Sequence, residues 1–340
     1  MGNGKVAGLD KLLTLPRVSA VRVDLAGYAA VICLLLALTW GKWPDILSDY
    51  GRELYIPWQV ASGQVLYRDL AYLNGPLSPY YHALLVKLGG VSFLTQVISN
   101  ILILLLTSGL IHHIIREMSD RFTARAAVLT FLLLFGFGHL ENSGNYNYIT
   151  PYSHELTHGL LITLGLMVLL VRYRDHGKII SLVLPGLLYG LIFLTKVEIF
   201  VAATAMLSAW LVWLRREGRF QALAVITATA LLPVAAAGGL LATRMDAPTA
   251  LLGLSGGWGH LLTTPVAGQV FYQKLAGLDK PLKHVRLILA STFSVMLLTA
   301  AAAGCDYYRH RTPSPWLAAG LGLCLMAALW LKSPFPLVLA

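Results

Sequence analysis

The 340 residues are 57% hydrophobic and only 12% charged, with a mean hydropathy of +0.68. So few charges cannot coat a water-soluble surface, which argues against an ordinary soluble chain. The net charge of +10 sits between apolar blocks, so it reads as loop charge that orients membrane spans, and it argues against a nucleic-acid binder.

The segment before the first apolar run is basic, but too polar and too long for a cleavable signal peptide. Val6 stands where a myristoylation signal requires Ser or Thr. Cys33, Cys305 and Cys324 have neither CxxC spacing nor a neighbouring His, so they suggest no disulfide framework and no zinc site.

The apolar runs lack strand-like alternation, and backbone in lipid must satisfy its own hydrogen bonds, so the expected fold is an all-α, polytopic bundle. Nine spans are expected, near 24–43, 92–115, 124–140, 155–172, 179–195, 197–214, 220–243, 285–303 and 315–331. Most approach the ~20 residues that a hydrocarbon core requires. With the N-terminus cytoplasmic, the inner segments 1–23, 116–125, 172–178, 215–219 and 304–311 hold 15 of the 26 Lys and Arg. The opposite segments are sparse: 41–91 has four and 139–155 has none. That asymmetry orients a multi-pass plasma or inner-membrane protein with its polar loops extracytoplasmic. It also makes PYYHALLVKLGG an interfacial or re-entrant helix ahead of the second span. No repeat or linker divides the chain, which reads as one transmembrane domain over 1–340. KSPFPLVLA reads as the start of a further loop and span, as though the chain were truncated at its C-terminus.

Acids and bases gather in the expected outer loops, and polar groups at a membrane are usually purposeful. The first outer loop, about 44–91, carries Asp45, Asp49, Arg52, Glu53, Arg68, Asp69 and Asn74. Asp49, Arg52 and Glu53 stand at i, i+3 and i+4 and share one face of a helix. Leu54, Trp58 and Val60 or Ala61 lie opposite, with Trp43, Tyr50, Tyr55 and Trp58 as interfacial anchors. A carboxylate at that surface can take a proton from an acceptor hydroxyl; equally, Asp49 can cap the helix while Glu53 pairs with Arg52 or Arg68. The second outer loop offers His139, Glu141, His154, Glu155 and His158. HELTH over 154–158 is a literal HExxH string, with Asp49 or Glu53 as third-ligand candidates for a zinc protease; its side chains can equally line a polar vestibule. Lys196 and Glu198 mark an outer turn, as an exposed pair or as a lysine for a phosphate. Segment 244–284 contains SGGWGH, which has neither the lysine nor the setting of a phosphate loop.

The first loop runs Asp49-Tyr50-Gly51-Arg52-Glu53-Leu54-Tyr55, then Ala61-Ser62-Gly63-Gln64-Val65-Leu66-Tyr67-Arg68-Asp69, then Asn74-Gly75-Pro76-Leu77-Ser78-Pro79-Tyr80-Tyr81. It resembles the GT-C membrane glycosyltransferases, in particular their protein O-mannosyltransferase and aminoarabinose-transferase branch. Gly190 to Lys196 is similar to the glycine-to-lysine stretch that ends a middle span there, and Glu155 occupies the place of a second acid. The likeness covers about residues 20–215. It implies a GT-C-like bundle and inverting transfer of a sugar from a polyprenyl-phosphate donor to a lipid, glycan or protein acceptor at the extracytoplasmic face of the bilayer. It implies Asp49 as catalytic base, and Arg52, Arg68 or Lys196 on the donor phosphate, whose charge grows in the transition state. It implies Glu155 or His154 positioning the acceptor or, in metal-using relatives, a divalent ion. Two departures stand out. The family's adjacent Asp-Glu pair is here Asp49 followed by Tyr50, with glutamate only at Glu53, and the spans are fewer than usual with no large C-terminal domain. Besides a glycosyltransferase, two classes stay open: a membrane-embedded zinc metalloprotease on HELTH, and a small-molecule or lipid transporter. The transporter reading requires polar residues at mid-membrane, where the sequence reads as nearly all aliphatic.

Overall fold

The computed structural model describes residues 18–42, 49–138, 147–176, 178–214, 218–257, 259, 268–275 and 279–290. The chain divides into two compact units, Met1–His260 and Leu261–Ala340. Within the second unit, the described residues form a short helix, Val270–Leu275, and a helical stretch over 281–290. The eighth expected span is described only over 285–290, and the ninth lies outside the described residues, as do Trp43, His139 and Glu141.

Among its described residues the first unit is built of helices and contains no strand beyond an isolated bridge between Leu66 and Leu70. Its elements are α1 (Val18–Thr39), α2 (Asp49–Ala61), α3 (Leu77–Gly89), α4 (Phe93–Met118), α5 (Arg121–Phe131), α6 (His154–His176), α7 (Val183–Phe193), α8 (Val197–Trp213), α9 (Arg219–Ala242) and α10 (Ala247–Leu254). Among the described residues, three helices are long and apolar enough to cross a membrane: α4, α6 over His154–Tyr173, and α9. Their exposed faces carry rows such as Leu94, Ile98, Leu102 and Leu106 on α4. That i, i+4 stripe has no role in a water-facing surface and every role in lipid.

Local chemistry sets the boundaries. The Ser92 side chain caps α4 by accepting from the Leu94 amide at 3.2 Å, and Asp120 starts α5 by accepting from the Thr123 amide at 2.7 Å. The expected span 124–140 is shorter than its apolar run: α5 ends at Phe131, a wide π turn follows over Leu132–Gly136, and the chain then turns. The near-fused spans five and six separate at Leu194–Lys196, between α7 and α8. The expected interfacial segment is a helix of its own, α3, distinct from α4.

Two clusters hold the ends of α4. At its C-terminal half, buried Asp24 of α1 accepts from Arg121 at 2.7 and 3.0 Å and from Arg125 at 2.9 and 2.7 Å. Tyr28 and His112 pair beside it at 2.6 Å. This clamp joins α1, α4 and α5. An Asp24→Ala variant removes the acceptor of four charged hydrogen bonds, and a loss of about 1.5–3 kcal/mol is expected. A melting temperature unchanged in detergent would refute that.

Farther along, α7 crosses α9 through Gly186 and Gly190. A Cβ at Gly190 would overlap the Ala230 carbonyl oxygen and stand 2.7 Å from Pro233. This spacing of small residues lets membrane helices approach backbone to backbone.

Candidate functional site

The second cluster lies where α4 and α6 begin, against α2 and α3. α2 is helical from Asp49, so Asp49, Arg52 and Glu53 do lie on one helix; the Asp49 side chain lies outside the described residues. Glu53 is buried, 4% exposed. Its Oε1 accepts from Arg52 Nη2 at 2.7 Å and Nε at 3.1 Å. Its Oε2 accepts from the backbone N–H of His154 at 3.0 Å and faces Nδ1 of the same residue at 2.7 Å. The carboxylate thus caps α6 and anchors it to α2. Burial alone would raise its pKa, but the His154 hydrogen bond and the Arg52 charge outweigh burial and hold it below the usual glutamate range.

Arg52 also donates to the Tyr152 carbonyl at 2.8 Å, and its side chain is 44% exposed, so it forms the edge of the site. Glu155 is fully buried. It accepts from Ser153 Oγ at 2.6 Å, from Asn74 Nδ2 at 3.4 Å and from the Tyr72 hydroxyl. A narrow, tightly closed cleft is lined by Arg52, Glu53, Tyr72, Ser78, His154 and Glu155, among others. Lys196 stands nearby, its ammonium 5.3 Å over the Tyr152 ring, 3.5 Å from that hydroxyl and 4.0 Å from Glu198.

Two distant stretches of sequence are clasped to make this wall. The Gly75 amide donates to the Thr195 carbonyl at 2.7 Å and the Leu77 amide to the Leu194 carbonyl at 3.0 Å. The turn at 74–77 therefore docks directly on the α7–α8 break, bringing Asn74 and Lys196 to one end of the unit.

Arg68 and Asp69 do not join the cleft. They pair with each other at 2.9 Å; Asp69 accepts from the Val65 amide at 2.8 Å, and Arg68 donates to the Arg244 carbonyl at 2.7 Å. The Arg68 hydrogen bond, with that of Val65, takes the Asp69 carboxyl down to about 2. A short turn, satisfied locally, explains why the expected phosphate ligand points elsewhere. Tyr50 is likewise no interfacial anchor. It is 1% exposed, with its ring against Phe93 and His154, because it stands three residues before Glu53 and faces inward with it. Tyr55 and Trp58 are exposed, in contact at a ring separation of 6.3 Å.

Beneath the cleft three imidazoles stack. His82 lies 3.9 Å from His154 and 5.2 Å from His158, centre to centre. His158 Nδ1 meets Ser78 Oγ at 2.9 Å, and His154 Nε2 meets Asn100 Nδ2 at 3.2 Å. Burial holds His82 well below the usual histidine range, so its ring is uncharged at neutral pH. Among the described residues no group of three His, Cys, Asp or Glu side chains is placed to hold a metal, and both oxygens of Glu53 and of Glu155 are already engaged. The described side chains therefore form no divalent-ion site.

Sequence reasoning passed over Tyr72, Ser78, His82 and Asn100. The available signal was polarity inside apolar runs. Gln96, Ser99, Asn100, Thr107, Ser108 and His112 are all buried on α4, so the expectation of nearly aliphatic mid-span positions does not hold for that helix.

Among the described residues, fold and site together define a helical protein with three helices long and apolar enough to cross a membrane and a buried, charged cleft where two of them begin. No protein-family model, characterised protein or solved structure matches the chain.

Proposed function

We propose that the chain is a multi-pass membrane glycosyltransferase of GT-C type, N-terminus cytoplasmic, moving a sugar from a polyprenyl-phosphate donor to an acceptor hydroxyl at the extracytoplasmic face, with inversion. One observation carries the reading: two buried carboxylates and a half-exposed guanidinium line a single cleft, with a lysine beside the neighbouring Tyr152, so that three separate segments bring their charges together. The cluster at the other end of α4 contains the arginines of an expected inner loop. Asn100 and His112 are twelve positions apart on that helix, about 18 Å, so the two clusters suit opposite membrane surfaces.

The chemistry follows from charge. In the transfer, the acceptor oxygen bonds to the anomeric carbon as the bond from that carbon to the phosphate oxygen breaks. The leaving phosphate gains negative charge, which Arg52 and Lys196 stabilise more in the transition state than before it. The hydroxyl proton goes to a carboxylate. Asp49, one turn ahead of Glu53 on α2, takes that role, while Glu53, His154 and Glu155 shape the acceptor side. Glu53 has both oxygens engaged, which leaves Asp49 at the start of the same helix as the better assignment for the base.

The test is transfer from a polyprenyl-phosphate hexose by purified protein in lipid. Asp49→Asn is expected to lower turnover by roughly 10²–10⁴. Full turnover by that variant removes Asp49 as base, and absence of transfer by the wild-type protein from any such donor removes the whole reading.

A further inference from the structure

Asn100 lies in the apolar run of α4, where a polar amide is costly unless it has a task. Its Nδ2 stands 3.0 Å from the Ile149 carbonyl and 3.2 Å from His154 Nε2. A carbonyl oxygen only accepts, so Ile149 fixes the amide with its hydrogens toward both groups. The same nitrogen can bond to His154 only if Nε2 presents a lone pair. The single ring proton is then on Nδ1, facing Glu53 Oε2 at 2.7 Å. The arrangement has a cost, because Asn100 Oδ1 is buried without a hydrogen-bond partner among the described residues. Turning the amide over would offer that oxygen to Nε2 and invite a second proton, and the Ile149 carbonyl prevents it.

We propose that Asn100 is a positioning residue of the cleft: by donating to Nε2 it keeps His154 neutral, and Glu53 stays an anion whose countercharge is Arg52. The other groups facing His154 agree with a neutral ring. From α3 the uncharged His82 stacks on it; from α6 His158 lies parallel at 5.9 Å, and Glu155 adjoins it in sequence; from α2 come the Tyr50 ring edge, Glu53 and Arg52. Were His154 an imidazolium, Glu53 would be held between two cations. A chain of single bonds thus runs from a membrane helix to the cleft: Asn100 to His154, His154 to Glu53, Glu53 to Arg52.

The test is ¹⁵N NMR of histidine-labelled protein at neutral pH, with the His154 signal identified by its loss in His154→Asn. The wild-type ring is expected to show one proton, on Nδ1. In Asn100→Asp, a carboxylate replaces the donor, and the signal is expected to move to that of the doubly protonated ring. Asn100→Leu, which introduces no charge, serves if the aspartate variant does not fold; it is expected to raise the doubly protonated fraction above wild type. A wild-type ring carrying its proton on Nε2, or two protons, overturns the proposal, as does a ring indifferent to both substitutions. These readouts need no sugar transfer, so they stand or fall apart from the glycosyltransferase reading. Only the kinetic arm rests on that reading: Asn100→Asp is expected to lower kcat about tenfold at unchanged donor KM, and a change in KM alone would contradict positioning.

Discussion

Replacing Gly75 with alanine is expected to unseat the cleft. A Cβ at this position would overlap the Leu194 carbonyl group and lie 2.8 Å from the Thr195 carbonyl oxygen, and backbone atoms cannot swing aside as a flexible side chain can. The turn must lift, which breaks the Gly75 and Leu77 amide bonds to that segment. Two lost backbone hydrogen bonds plus overpacking amount to about 3 kcal/mol. Asn74 would leave Glu155, and Lys196 would lose the contact that fixes the α7–α8 break. Gly75→Ala is therefore expected to melt well below wild type and to show no transfer in the assay above. A variant with unchanged melting and turnover would mean that the clasp is incidental.

That clasp marks a boundary of what can be read from sequence. Asn74-Gly75-Pro76-Leu77 and Gly190 to Lys196 each stand out as motifs, and the charged pair Lys196 and Glu198 locates a helix break inside an apolar run. Nothing in the spacing says that the two segments touch, because a contact 120 positions apart depends on how α7 packs, and α7 packs by Gly186 and Gly190 against α9. Period alone gave the α2 face, since i, i+3, i+4 is a property of the helix itself. It did not give Glu53 its partner. His154 reaches Glu53 because α6 begins at that residue, and its first amide also needs an acceptor. Arg68 and Asp69 look equally promising in sequence, yet a one-residue separation let them satisfy each other and the Val65 amide. Asn100 was hidden for the opposite reason: one amide barely changes the mean hydropathy of a 26-residue helix, although its burial makes it one of the dearest groups in the unit.

The exposure pattern gives these polar groups their setting. α9 has 6% of its apolar window buried, against 44% for α4. α4 therefore carries the interior of the unit, and its buried polar side chains face α1, α3 and α6 instead of lipid. Both polar clusters rest on this one helix, which is long and apolar enough to cross a membrane and holds the Asp24 clamp at one end and His154 at the other.

The largest effect is expected at Glu53. Alanine there strips the acceptor from Arg52, from the His154 amide and from its ring nitrogen, leaving the buried His154 donors unpaired at a cost of about 3–5 kcal/mol. Glutamine keeps the volume but not the chemistry. Whichever way its amide turns, an NH₂ group faces either Arg52 or the His154 N–H, so the cost is smaller, about 1–3 kcal/mol. Both variants are expected to lose transfer, with Glu53→Ala also losing the folded protein at ordinary temperature. Acid titration separates a paired carboxylate from a merely buried one. The folded carboxyl titrates below its unfolded value, so its pairing contributes fully above the ordinary glutamate range and is lost as the pH falls through the lower native value. Wild-type melting should therefore fall in acid below about pH 4, and Glu53→Gln should flatten that part of the profile. A Glu53→Gln profile parallel to wild type in that range would show that the carboxylate carries no net pairing energy, and would leave Arg52 and His154 held by something else.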